Sequence, residues 1–504
     1  MSADDAGIPR FAVVGRVNKG KSSILATLVE EADNARIRIS EIPGETTRCQ
    51  SIPLVLGGET LVEFIDTPGF NRARQALAWL REHHAEGSGE ARIETVRRFV
   101  EAHRDNDEFQ DERLLLEPVL DGAGVVYVVD ASKPYRPDFG AEMEILRWTG
   151  RPRMAILNHL SPENDYSEEW RERLGESFNL TREFNAHRAR FRERIRLLRH
   201  LLEIEEGNRA KLEQTIRQLE AEWDRRRSEA ADIFIALLGR ALTERVCENV
   251  GGDRVDRDYK RDEAERALKD RYRAELRELE RRHHRRLIQL YKHGDAEFAE
   301  EVGDALLAGG DDLFAEETWQ FLGLDPSQLA LAGGLAGAAA GGSVDLATGG
   351  LTHGLGTLIG AAGGFFAAIW KGRKLAEIRV SNPLSPKGET AAGGVKWCAG
   401  PPKNPNFPWV LLDRALFHFE HLVTRAHGRR DRFVIDFNQL RARGEKHGYA
   451  SRLTADRRRA LQNWFGRLAD RGREDSEDAE AFETLRTVLR EIEEGELRVL
   501  EADD

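Results

Sequence analysis

The chain has 504 residues with 76 Lys+Arg against 88 Asp+Glu, a formal net charge of -12. At roughly 100–200 residues per domain this length allows two to four domains and a core that needs neither metal nor disulfide staples. The acidic balance argues against a general nucleic-acid binder, and the three dispersed cysteines, Cys49, Cys247 and Cys398, form no CxxC pair and argue against a zinc site or a disulfide framework. A reduced intracellular setting is expected on that basis. The acidic, polar start MSADDAGIPR has neither the basic nor the apolar part of a signal peptide, so a cytoplasmic location is expected.

From Phe11 to about residue 187, short apolar runs alternate with amphipathic stretches. The runs are FAVVG, SIPLVL, TLVEFID, VVYVVD and RMAILN. Gly57-Gly58-Glu59 between the second and third signals an antiparallel hairpin. The others are separated by helical stretches, which predicts βα crossovers and a mostly parallel sheet. Between Gly69 and Val125 the connection is too long for one helix and contains ARQALAWLREHH and ARIETVRRFVEAH, so a helical insertion is expected at about 71–118.

Within this region Gly15-Arg16-Val17-Asn18-Lys19-Gly20-Lys21-Ser22 fits GxxxxGK[ST] between a strand and a helix, the context of a P-loop. Glycines let backbone N–H groups turn toward phosphates, and the helix N-terminus adds its positive end. Lys21 would meet the β- and γ-phosphates and the Ser22 hydroxyl would ligate Mg²⁺. Gly15, Asn18, Lys19, Gly20, Lys21, Ser22 and Ser23 are the expected phosphate-binding residues. Asp66-Thr67-Pro68-Gly69 closes a strand; Asp66 would hold Mg²⁺ through water, and the Gly69 N–H would meet the γ-phosphate. In Pro43-Gly44-Glu45-Thr46-Thr47-Arg48, Thr47 is the preferred metal-binding switch threonine, with Thr46 the alternative. The catalytic set expected is therefore Lys21, Thr47 and Gly69, and the metal set Ser22, Thr47 and Asp66.

GRVNKGKS, PGETTR and DTPG resemble the first three guanine-nucleotide motifs of the Era/TrmE-like GTPases. The resemblance implies an α/β P-loop G domain that binds GTP and GDP with Mg²⁺ and hydrolyses GTP as a molecular switch. In some relatives the residue matching Asn18 helps hold K⁺; ordinary loop hydrogen bonding is the other reading. Phe70 stands where Ras-like enzymes carry a glutamine, which implies another means of positioning water. The base motif NKxD is incomplete: Asn158 matches, while His159 and Ser161 replace the lysine and the aspartate, with Glu163 and Asp165 nearby. Losing that carboxylate weakens the expectation of guanine selectivity. Asn185-Ala186-His187 matches the last motif weakly.

From Phe191 the chain becomes densely charged. Phe191, Ile195, Leu198, Leu202 and then Leu212, Ile216, Leu219, Trp223 form heptad-like stripes, interrupted at Gly207-Asn208. A second charged helix is expected over about 258–292, with Leu268, Tyr272, Leu276 and Leu279 buried and ADIFIALLGRAL joining the two as an antiparallel stalk or bundle. Residues 329–370 are rich in Gly and Ala, with spacings such as Gly333/Gly337/Gly341 and Gly356/Gly360/Gly364. Each half falls short of the roughly 20 residues that span a bilayer. Two readings stand: a membrane-entering hairpin with Trp370 and Lys371/Arg373/Lys374 at the interface, making Asp345 and His353 functional, or a buried hairpin or self-association surface. NPLSP and PPKNPNFP read as linker, and the chain from Trp409 as helical and polar.

The expected organisation is a G domain over 1–188, charged helices over 189–300, a Gly/Ala-rich hairpin over 301–375 and a helical domain over 376–504. The layout, with VVDASKPY and FNAHRARF, also resembles bacterial GTPases fused to a C-terminal domain of unknown function numbered 3482. Expected partners are GTP and an effector protein. Under a dynamin-like alternative there would also be a GTP-dependent dimer and peripheral contact with the inner face of the membrane through 329–370. Two further alternatives are a ribosome- or RNA-directed GTPase, disfavoured by the acidity, and a nucleotide-binding scaffold with little hydrolysis.

Overall fold

The computed structural model describes residues 7–16, 20–22, 24–25, 49–56, 58–85, 90–105, 107–160, 164–184, 191–250, 258–291, 313–314, 318–319, 322–332, 380–381, 395–424, 448–471 and 478–497. It divides into two compact units, mainly residues 1–224 and 225–502, the second excluding 424–430.

The first unit is built on a six-stranded sheet. Its strands are β1 (Arg10–Val14), β2 (Gln50–Leu56), β3 (Glu59–Asp66), β4 (Gly124–Asp130), β5 (Arg153–Asn158) and β6 (Leu180–Glu183), in the order β2-β3-β1-β4-β5-β6. All pairings are parallel except the β2–β3 hairpin. The α/β fold with one hairpin is as expected. β6 is additional; its residues, LTRE, are too short and polar to signal a strand, and it lies at an edge, where such strands are tolerated.

Period-2 alternation gives the sheet two buried faces. In β1, Phe11 and Val13 point into one apolar cluster, Ala12 and Val14 into the other. β4 is buried at every position, which is why GVVYVVD is apolar up to its terminal Asp130. Fully burying each such valine stabilises the fold by about 1.5–3 kcal/mol relative to exposure. One face is covered by α1 (Ala73–His83), α2 (Arg92–Ala102), α3 (Gln110–Leu120), α4 (Asp138–Trp148) and α5 (Ser167–Gly175). The connection after β3 thus holds three helices, the third being QDERLLLEPVL. The other face receives Ile195, Leu198 and Leu201 of α6 (Phe191–Ile204), and Leu212 and Ile216 from the start of α7.

Helix α7 (Arg209–Thr243) runs through ADIFIALLGRAL without a break. That apolar segment is the end of one helix and not a separate joint: Ile233, Phe234, Leu237 and Leu238 are buried as one face of it. Leu268, Tyr272, Leu276 and Leu279 of α8 (Asp258–Leu290) are buried as their spacing predicts.

The second unit also contains α9 (Pro326–Ala332), α10 (Phe407–Thr424), α11 (Tyr449–Arg452), α12 (Ala455–Arg471) and α13 (Ala479–Glu494). Its small sheet is formed by β7 (Val246–Val250), β8 (Val380–Ser381) and β9 (Val395–Ala399), in the order β7-β9-β8. Two expectations are corrected in this unit. Helix α10 is not polar-faced: Trp409, Val410, Leu412, Leu416 and Phe419 are fully buried. Its charged residues are buried with partners, Arg414 with Glu280 at 2.6 Å and Asp413 with the N–H groups of Gly323 and Ala450. Cys247 and Cys398 form a disulfide, because antiparallel pairing of β7 with β9 sets them directly opposite. The cysteine argument for a reduced setting falls with it.

Among the described residues no helix is long and apolar enough to cross a membrane. Of the 329–370 segment, all beyond Ala332 lies outside the described residues, including Asp345 and His353.

Candidate nucleotide site

The loop after β1 packs against the C-terminal ends of β4 and β5. Gly15 has φ +142°, and a Cβ there would stand 2.4 Å from the Val128 carbonyl oxygen. Gly20 has φ +84°, and a Cβ there would stand 2.2 Å from Asn158 Nδ2. Glycine is therefore required twice, by conformation and by space, and Asn158 lies directly beside the loop. The helix that follows starts with Ile24 N–H donating to the Gly20 carbonyl.

Lys21 Nζ donates to the carbonyls of Gly15 at 3.0 Å and Arg16 at 3.1 Å, so its ammonium sits inside the loop curve. Burial pushes its pKa down, while the nearby Asp66 and Glu142 carboxylates oppose the shift. Ser22 Oγ donates to Asp66 Oδ2 at 2.9 Å. Parallel pairing of β1 with β3 sets Val13 opposite Asp66 and brings the two motifs together. Burial raises the Asp66 pKa, against the pull of Lys21 and the hydrogen bonds from Ser22 and Thr67. Its Oδ1 is buried with no hydrogen-bond partner among the described residues. The Ser22 hydroxyl and the Asp66 carboxylate, whose Oδ1 is left over, form beside a buried ammonium an oxygen-donor pair that fits a hydrated Mg²⁺.

Thr67 Oγ1 donates to the Val13 carbonyl at 2.9 Å, tying the start of Thr67-Pro68-Gly69 to β1. Gly69 is buried, and Phe70 is packed in the core against the insertion helices. A glutamine-like role at position 70 is thus excluded by where that side chain lies.

Just beyond β5, His159 Nε2 pairs with Ser167 Oγ at 3.2 Å. Asp165 accepts from the Ser167 N–H at 2.9 Å at the entry of α5, and hydrogen bonds from the Ser167 side chain and then from this N–H lower its pKa. Asn18, Lys19, Ser23, Thr46, Thr47, Ser161, Glu163 and Asn185-Ala186-His187 lie outside the described residues.

Sequence reasoning missed the support behind the loop. Arg16 Nε donates to Glu142 Oε1 at 2.5 Å, and Tyr127 OH donates to Glu142 Oε2 at 2.8 Å. Glu142 lies in α4, 126 residues from Arg16, and no local pattern marks it.

Strand order, loop and the Lys21–Ser22–Asp66 cluster define a P-loop nucleotide-binding α/β domain followed by a mainly helical region. Residues 171–489 match the family model described as a domain of unknown function (DUF3482), and residues 10–159 match that of the 50S ribosome-binding GTPases. The first match spans more than half of the chain: this protein belongs to the DUF3482 family, with a bacterial-type P-loop GTPase domain preceding that region.

A stretch of 71 residues is 42% identical to GTPase Der of Azoarcus sp. (strain BH72), covering 14% of this chain and 15% of that protein. Another match, 37% identical over 70 residues, is to a probable GTP-binding protein EngB of Ligilactobacillus salivarius (strain UCC118), covering 14% and 33%. The chain thus spans a third or less of these curated relatives. Among solved structures it is similar to an Aquifex aeolicus Era variant bound to GDP and AlF4⁻, at 16% identity, 49% of this chain, 74% of that one and a TM-score of 0.24. It is also similar to Era in complex with MgGDPNP and a 16S ribosomal RNA segment, at 16% identity, 57% and 90% coverage and a TM-score of 0.26.

Proposed function

We propose that this protein binds GTP and hydrolyses it to GDP and phosphate, and that the nucleotide state controls a protein effector. The observation that carries the reading is the joining of Ser22 to Asp66 at 2.9 Å beside the buried Lys21. The match to a GTPase family model over residues 10–159 supports guanine as the base.

In this reading Lys21 neutralises charge on the β- and γ-phosphates, and the loop N–H groups hold the phosphates in place. Ser22 and Thr47 would ligate Mg²⁺ and Asp66 would hold it through water; bound there, the ion would supply neutralisation of phosphate charge. The Gly69 N–H holds the γ-phosphate, so that switch II changes when this group leaves. Asn158 faces the guanine edge. Asn18 supplies a K⁺ site, which would make turnover faster in K⁺ than in Na⁺.

Phosphate release from GTP by the full chain, compared with Lys21→Ala, tests the reading. Turnover in the wild type that is lost in the variant is expected. Equal phosphate release from both would assign the activity to a contaminant and overturn the reading.

A further inference from the structure

Resting on the GTPase reading, we infer that Glu112 of the inserted helix α3 is a positioning residue for hydrolysis, holding the backbone just beyond Gly69. Glu112 is 1% exposed, and its Oε1 accepts from the Asn71 N–H at 2.8 Å and from the Arg72 N–H. These N–H groups lie two and three residues after Gly69, at the start of α1. The residue capping α1, Arg72, makes no side-chain cap of its own. The N–H groups of the capping residue and of the residue before it are bound instead from α3, about 40 residues further along the chain.

Two features make this grip more than a helix cap. Phe70, between Gly69 and the gripped residues, is buried in the core, so the chain is fixed on one side of Gly69 by packing and by Glu112 just beyond. On the other side Thr67 is bonded to β1. Gly69 therefore has its N–H direction set by anchors on both sides, one of which belongs to the insertion. The same turn of α3 also meets the other switch flank: Cys49 Sγ donates to the Leu114 carbonyl at 3.1 Å, and Cys49 lies two residues after Thr47. One turn of an inserted helix thus touches chain adjoining Gly69, which the reading assigns to the γ-phosphate, and chain adjoining Thr47, which it assigns to Mg²⁺.

A positioning role and a purely structural one differ in which nucleotide they affect. Glu112→Ala should lower single-turnover GTP hydrolysis by about tenfold or more, since small displacements around a reacting group are costly. GDP affinity should stay within about threefold, because GDP lacks the phosphate that Gly69 meets. Glu112→Gln keeps an acceptor oxygen and should restore most of the rate. If Glu112→Ala does not fold, Glu112→Asp decides: it withdraws the carboxylate by one methylene and should slow hydrolysis while leaving GDP affinity unchanged. Unchanged hydrolysis, or GDP affinity falling in step with rate and melting temperature, would overturn the inference. Absence of GTP binding and turnover in the wild type itself would overturn the parent reading and this inference with it.

Discussion

Arg16 of the P-loop and Glu142 of α4 are joined at 2.5 Å, with the carboxylate wholly buried and the guanidinium lying 4.4 Å over the Phe139 ring. Asp138 extends the link, pairing with Arg16 at 3.8 Å and with Arg74 of α1. Burial raises the Glu142 pKa, and Arg16 and the Tyr127 hydroxyl act against it. Removing Arg16 would leave that carboxylate without its paired guanidinium, with Lys21 as the remaining nearby cation. Arg16→Ala should therefore destabilise the first unit by about 3 kcal/mol. Glu142→Gln, which leaves no buried anion, should cost less. Urea unfolding of both variants at neutral pH checks the order, and equal costs would contradict it.

Lys21→Ala should abolish nucleotide binding, since charge and hydrogen bonds act together at that ammonium. Ser22→Asn should instead raise the Mg²⁺ concentration needed for binding by about tenfold or more, by displacing the hydroxyl that meets Asp66. Titration of nucleotide at graded Mg²⁺ separates the two. An Mg²⁺ dependence unchanged in Ser22→Asn would remove Ser22 from the metal set.

His283 is fully buried in the second unit, beside Phe234 and His284, and burial pushes its pKa down to about 3 from an ordinary 6.5. Above pH 6.5 both folded and unfolded chains hold it neutral, and its contribution is fully present. As pH falls toward 3 the unfolded chain takes up a proton that the folded chain refuses, and stability is lost. Between pH 7 and pH 5 this loss is about 2 kcal/mol. His283→Gln should remove about that much of the pH dependence of unfolding. The same slope in the variant would place the acid sensitivity elsewhere, for example at His284, which burial shifts in the same direction.

The Cys247–Cys398 bond closes a loop of 151 residues within the second unit. Loop-closure entropy at this length predicts about 5 kcal/mol of stabilisation. Unfolding of the intact chain with and without a dithiol reductant should differ by about that amount. A Cys247→Ser/Cys398→Ser variant should behave as the reduced protein and show no response to the reductant. No difference between oxidised and reduced wild type would contradict the assignment.

What was legible in the sequence was what is local. VVYVVD reads as a central strand because every residue is buried, and GRVNKGKS carries its loop, its cation and its hydroxyl within eight positions. What was not legible depends on distant pairing. Nothing near Cys247 in VCENV announces a partner in VKWCA until β7 and β9 pair. Glu112, in QDERLLLEPVL, looks like a solvated helix charge until topology sets it against Asn71 and Arg72. Helix α10 is the opposite case: Asp413, Arg414 and Glu420 are charged in sequence, and in the fold they are buried.

The most direct test is calorimetric titration of the full chain with GTP and with ATP in the presence of Mg²⁺, with turnover followed in K⁺ and in Na⁺. Selective GTP binding with turnover faster in K⁺ is the predicted result. Equal binding of both nucleotides, or binding of neither, would contradict the assignment of the Lys21–Ser22–Asp66 cluster to GTP hydrolysis.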